Sequence, residues 1–135
     1  MKNFFKYHFL VLAWALIIFI QSSFPAVDFP KVEWISMDKV IHMGVFGLLA
    51  ALCYISFIHL GKGSTFSKNA FLWTAIICIV YGASDEFHQY FVPYRSSEVQ
   101  DWAADVAGVI IMLLIIRYFL ANRMKLFRKA EYNAA

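Results

Sequence analysis

Long apolar runs separated by brief polar interludes divide the chain into four segments, each long enough to cross a bilayer. Phe9 to Ile20 is apolar without a break, extended by Tyr7 and His8 before it and by Gln21-Ser22-Ser23 after it. Pro25 and Pro30 stop it, because proline lacks the N–H that a continuing helix needs. The run looks like a secretory signal. A cut at Ala26 would put Phe24 where a small residue is wanted, so the segment is expected to be retained. The stretch 24–37 carries Asp28, Lys31, Glu33 and Trp34 and reads as the longest connection. Asp38-Lys39 opens the second run, Gly61 to Lys68 is turn-rich, Pro93 closes the third run, and a basic tail, 122–135, follows the fourth. Spans at 7–23, 39–60, 70–90 and 100–121 in one domain covering 1–135 predict an all-α fold, an integral membrane four-helix antiparallel bundle with a longer outer loop between helices 1 and 2. Lipid admits only helices or closed barrels, and the strand-like alternation of a barrel is absent.

Composition supports this class. Hydrophobic residues make up 61% and charged residues 16%, where a soluble domain carries about 25% charged; mean hydropathy is +0.63. The net charge of +3 is no nucleic-acid signal, because the bases gather at chain ends instead of on a face. No phosphate-binding glycine loop, dinucleotide fingerprint or zinc spacing occurs. Cys53 and Cys78 lie deep in apolar runs and read as buried thiols without a disulfide.

Lys and Arg set the expected orientation. Lys2, Lys6, Lys62, Lys68, Arg117, Arg123, Lys125, Arg128 and Lys129 fall on one side, against Lys31, Lys39 and Arg95 on the other. The bias predicts a multi-pass protein of the cell membrane with both termini cytoplasmic, N-in and C-in. All acidic residues except Glu131 then lie at the outer end, together with His42 and His88. Acids in such apolar surroundings are costly, about 2.5–3.5 kcal/mol for aspartate at mid-membrane, and are functional candidates by default.

Helical spacing sorts these groups into stripes. Asp101, Asp105, Gly108 and Met112 recur on one face of the fourth span; Tyr81, Asp85, His88 and Gln89 share a face of the third, with Glu86 at its margin. Asp38 and His42 stand four apart on the second. Ala104 with Gly108, and Gly47 with Ala51, are small pairs that let helix backbones approach closely. The economical packing turns these stripes toward one polar pocket open to the outside.

The motifs Asp38-Lys39-x-x-His42-x-x-x-Phe46, Tyr81-Gly82-x-x-Asp85-Glu86-x-x-Gln89, and Arg95 with Asp101-x-x-Ala104-Asp105-x-x-Gly108 resemble, as a set, those of VanZ-like membrane proteins; Gln21-Ser22-Ser23-Phe24-Pro25 resembles the end of their first helix. Many members carry asparagine where this chain has Asp105. The resemblance implies a cell-envelope process connected with reduced susceptibility to teicoplanin and related lipoglycopeptide antibiotics, and implies no particular reaction.

The residues suggest a pocket that handles a lipid-linked or lipophilic ligand at the outer leaflet, as binder or as enzyme. An enzyme here would be a headgroup hydrolase or transferase. His42, Asp85 and Glu86 are the catalytic candidates, His42 for proton transfer. Asp38, Tyr81, Gln89, Arg95, Asp101 and Asp105 are the substrate-binding candidates, with Arg95 suited to a lipid phosphate. Asp85, Glu86 and Asp105 could hold a divalent cation, and an oxygen-rich set suits Mg²⁺ or Ca²⁺ better than zinc. The partners expected are the bilayer, a lipid-linked envelope precursor or a lipoglycopeptide, and no nucleic acid. Two other readings stand beside this one: a small proton-coupled transporter, and a structural bundle whose acids only pair with Arg95 and Lys39.

Overall fold

The structure, a computed structural model, describes residues 4–25, 37–61, 63–95 and 97–134, with side chains between Phe5 and Arg123. Most of the connection 24–37, including Asp28, Lys31 and Glu33, lies outside the described residues, as do Lys62 and the side chains of Lys125, Arg128 and Lys129. A π-helical turn, Phe4–His8, leads into α1 (Phe9–Ser22). There follow α2 (Met37–Ile58), the single turn α3 (Thr65–Lys68), α4 (Ala70–Gln89) and α5 (Val99–Ala134). Every described element is helical, and four of the helices are long and apolar enough to cross a membrane: Phe5–Ser22, Met37–Ile58, Ala70–Gln89 and Val99–Arg123. The 36 residues of α5 extend about 54 Å at the α-helical rise. That exceeds a hydrocarbon layer of about 30 Å, so the helix continues through the stretch expected as a polar tail.

Large apolar side chains cover the outside. Leu12, Leu16, Leu72, Val80, Phe87, Leu114 and Phe119 are all more than half exposed. Apolar surface this extensive is foreign to a soluble monomer and belongs against lipid tails; the protein is a multi-pass membrane protein.

The helices alternate in direction. Lys39 and His42 near the start of α2 meet Asp101 and Asp105 near the start of α5, so these two run parallel. The last turn of α4 meets the segment that opens α5, with Glu86 accepting from Glu98 N, so α4 runs the opposite way. The starts of α2 and α5 and the ends of α1 and α4 form what we call the acidic end; α3 caps the opposite, basic end.

Helices α2, α4 and α5 form the tightest group, with α2 and α5 the most intimate pair, and α1 packs more lightly on α2 and α4. Glycines permit the closest approach: a Cβ on Gly47 would lie 3.3 Å from the Gly108 carbonyl oxygen, and one on Gly108 would fall onto the Met43 backbone. Beneath the acidic end, Phe46, Leu49, Ala50, Cys53, Cys78 and Val109 with Ile18 form the apolar core; both cysteines are free and buried.

Three aromatic donors tie the helices together by bonding backbone carbonyls across the gaps. Trp14 Nε1 donates to Val45 O at 3.1 Å, Tyr81 Oη to Ala15 O at 2.6 Å, and Trp102 Nε1 to Ile79 O at 3.2 Å. Between apolar helices there is little hydrophobic preference for each other over lipid, so such bonds and close packing carry the association.

Candidate functional site

At the acidic end the polar stripes converge, in two adjoining groups. His42 stands between them. It projects from the second turn of α2, and its Nδ1 lies 2.9 Å from Asp105 Oδ1 on α5. Asp38, one turn earlier on α2, brings Oδ1 to 3.9 Å from His42 Nε2 but is itself 58% exposed. Asp105 is fully buried and Glu86, on α4, is 7% exposed. Glu86 Oε2 accepts from Glu98 N at 3.1 Å and from Ser97 Oγ at 3.3 Å. Glu86 Oε1 and Asp105 Oδ2 are buried and accept nothing from the described residues. Gly82 leaves room there, since a Cβ at that position would crowd Asp105 Oδ2 at 3.2 Å.

The second group lines a cleft between α1, α2 and α4. Its walls are Ile18, Ile41, Val45 and Phe46, and its polar side is Gln21, Ser22, His42, Asp85, Gln89 and Arg95. It encloses ≈ 30 Å³. That suffices for one or two waters and falls well short of the about 300 Å³ at which ordinary ligand pockets begin.

Asp85 and Gln89 stand one helical turn apart, so Gln89 Nε2 donates to Asp85 Oδ2 at 2.9 Å. Gln89 Oε1 then accepts from Arg95 Nε at 3.1 Å. Arg95 follows a turn in which Tyr94 takes a φ of 62°, a left-handed conformation that bulky residues rarely adopt. That turn swings Arg95 back over the cleft, where Nη1 donates to the carbonyls of Gln21 (3.4 Å) and Phe24 (3.3 Å). No described carboxylate lies within ion-pair reach of this guanidinium, unlike the ammonium of Lys39, which bonds Asp101 Oδ1 at 2.6 Å and approaches Glu98 at 3.6 Å.

The expected site residues therefore divide by place. His42, Asp85, Gln89 and Arg95 line the cleft. Glu86 and Asp105 stand behind it and meet His42 in a cluster whose donor atoms all lie within 4.8 Å of one another. Asp101 is buried against Lys39, and Asp38 sits at the surface beside His42. Tyr81, expected among the substrate-binding residues, spends its hydroxyl on Ala15 O and does not line the cleft. His88 bonds Ser23 Oγ at 2.9 Å and lies against the Phe19 ring, pinning the end of α1. Sequence reasoning did not single out Gln21, Ser22 or Gly82 as site residues. Their signal lay in the Gln21-Ser22-Ser23 and Tyr81-Gly82 motifs, whose small and weakly polar members were read as helix extension and motif positions without a role at the site.

A family model described as VanZ/LLP1 matches residues 7–121. The chain is also similar to an uncharacterized protein of Schizosaccharomyces pombe, 29% identical over 128 residues that cover 91% of this chain and 72% of the relative. No solved structure matches the chain.

Proposed function

We propose that this chain, which belongs to the VanZ/LLP1 family of membrane proteins, holds the phosphate-bearing end group of a lipid in the cleft between α1, α2 and α4, at the outer leaflet. The observation that carries this reading is the state of Arg95. Among the described residues its partners are an amide oxygen and two backbone carbonyls, which orient the guanidinium without neutralising it. A fixed guanidinium with no ion-pair partner among the described residues, beside a low-dielectric wall, attracts phosphate by its charge and by Nη2, to which no described residue bonds.

The rest of the cleft fits an amphipathic ligand. Ile41, on the apolar wall, is 40% exposed, so the wall continues onto the lipid-facing surface and an acyl or polyprenyl chain can leave sideways. Gln89 and Asp85, which line the cleft, offer hydrogen bonds to the polar end. The light packing of α1 lets the mouth widen for a headgroup larger than the closed space. In a bacterial envelope, occupancy of such a site would alter susceptibility to lipoglycopeptides such as teicoplanin. The apolar layer of Phe46, Leu49, Ala50, Cys53, Cys78 and Val109 beneath the cleft weighs against a proton-coupled path through the helices.

The test is binding of dodecyl phosphate, against dodecyl maltoside as control, to the purified protein in nanodiscs. Saturable phosphate-dependent binding that Arg95→Ala weakens by at least about tenfold is expected. Equal binding of both detergents, or no loss in the variant, would overturn the reading. Assaying the same samples for release of inorganic phosphate from a lipid pyrophosphate separates a binder from a hydrolase.

A further inference from the structure

The cluster behind the cleft raises a separate question: what balances its charge. Glu86 and Asp105 are both more than nine-tenths buried, they come from different helices, and neither bonds a described lysine or arginine. Each keeps one carboxylate oxygen, Glu86 Oε1 and Asp105 Oδ2, buried without a hydrogen bond from any described residue. Two carboxylates withdrawn from water without a countercharge are costly, by several kcal/mol for each ion in practice. His42 is the one titratable base in the group.

We propose that His42, Glu86 and Asp105 form a binding site for a single divalent cation of the Mn²⁺ or Zn²⁺ class. The donor atoms all lie within 4.8 Å of one another. An ion about 2.0–2.2 Å from each draws them to about 3–4 Å apart, which takes side-chain rotations of about an ångström. The imidazole moves the preference away from Mg²⁺ and Ca²⁺, which take oxygen ligands almost exclusively, toward ions that accept nitrogen and carboxylate together.

Three further features fit. Asp38 Oδ1, 3.9 Å from His42 Nε2, is placed to accept that N–H when Nδ1 turns to the ion, the carboxylate–histidine–metal relay seen at many such centres. Glu86 Oε2 is already fixed by Glu98 N and Ser97 Oγ, which leaves Oε1 as the coordinating atom. Gly82 keeps space beside Asp105 Oδ2 that any side chain would fill. A second trio, Asp38, His42 and Asp101, also has the spacing, but the Lys39 ammonium occupies Asp101 at 2.6 Å and repels a cation there.

The proposal is independent of the lipid reading and is tested on the full chain in nanodiscs, stripped with chelator and titrated with Mn²⁺ or Zn²⁺ alone. About one ion per chain is expected, and Mn²⁺ spin-echo spectra of the wild-type protein should show nitrogen coupling from one imidazole. Glu86→Gln and Asp105→Asn should each weaken binding by about 10–100-fold, whereas Asp101→Asn should leave it within a factor of about two. Absence of stoichiometric binding, absence of nitrogen coupling, or binding lost equally in Asp101→Asn would each overturn the proposal. The wild-type spectrum decides even if a variant fails to fold. Failure here with intact phosphate binding would remove the metal site and leave the lipid reading standing.

Discussion

Gly47 faces Gly108 across the crossing of α2 and α5, with so little space that a Cβ on Gly47 would meet the Gly108 carbonyl oxygen at 3.3 Å. This crossing lies about one turn below the polar cluster, because Gly108 follows Asp105 by three residues and Met43, its neighbour across the gap, adjoins His42. The closeness of the two backbones is what lets the short aspartate side chain reach the imidazole at 2.9 Å. Backbone approach and site assembly are one event in this fold.

Gly108→Ala should therefore damage both. The added carbon would sit 2.8 Å from Met43 Cα, and backbone atoms cannot swing aside as a side-chain tip can. A cost of about 1–3 kcal/mol is expected from such overpacking, visible as a lowered thermal midpoint in detergent. Gly44 has nothing within 4 Å of its would-be Cβ, so Gly44→Ala should leave the midpoint unchanged or raise it. Equal effects at the two glycines would show that the crossing is looser than described.

The Lys39–Asp101 pair should behave as a unit. Asp101 is 4% exposed, so Lys39→Ala leaves its carboxylate buried and without its ammonium. Breaking a buried pair in this way costs about 3–5 kcal/mol, and the lower part of that range applies because the Lys39 side chain keeps 29% of its exposure. Adding Asp101→Asn to Lys39→Ala should recover most of the loss, since a neutral amide needs no counter-ion. Equilibrium unfolding of the two single variants and the double variant measures the coupling; additive losses would mean that the pair is incidental.

Much of this arrangement was readable from residue order, and what was not has a physical cause. The four spans follow from apolar runs that nothing else could accommodate, and the spacing of Asp101, Asp105 and Gly108 places all three on the buried face of α5. Glu86 was assigned to the margin of its stripe, yet it is buried. A segment beyond the helix folds back to give it Ser97 Oγ and Glu98 N, and helical periodicity carries no information about such a segment. Arg95 was expected to suit a lipid phosphate, with pairing to the acids as the structural alternative. The left-handed turn at Tyr94 sends it to the end of α1 instead, and a single non-glycine φ above zero leaves no mark in the sequence. Tyr81 has the correct periodicity for the pocket, but its length carries the hydroxyl past the cleft to Ala15 O.

Arg95 also acts as a clamp, joining the end of α1 to the end of α4 through Gln21 O, Phe24 O and Gln89 Oε1. Lysine cannot reproduce three bonds in those directions. In Arg95→Lys the end of α1 should separate from α4. The distance can be read from the Ser23→Cys, His88→Cys pair, whose native side chains touch at 2.9 Å. Mild oxidation should cross-link the pair quickly with Arg95 present and several-fold more slowly in Arg95→Lys. An unchanged rate would assign the α1–α4 contact to Tyr81 and packing alone.

The outer-leaflet reading requires the acidic end to face away from the cytoplasm, and charge supplies the argument. Lys68 and the helical continuation that carries Arg117 and Arg123 belong to the basic end, and lysine and arginine resist translocation while acids contribute little. Val99, at the acidic end, is 80% exposed, and Asn69, at the basic end, is exposed as well. The native Cys53 and Cys78 are buried and should stay silent toward an impermeant maleimide. In intact cells Val99→Cys should label at once, whereas Asn69→Cys should label only after the membrane is opened. The reverse pattern would put Arg95 and its cleft at the inner leaflet, where the phosphate-bearing lipids of the cytoplasmic face, and not envelope precursors, would be the ligands within reach.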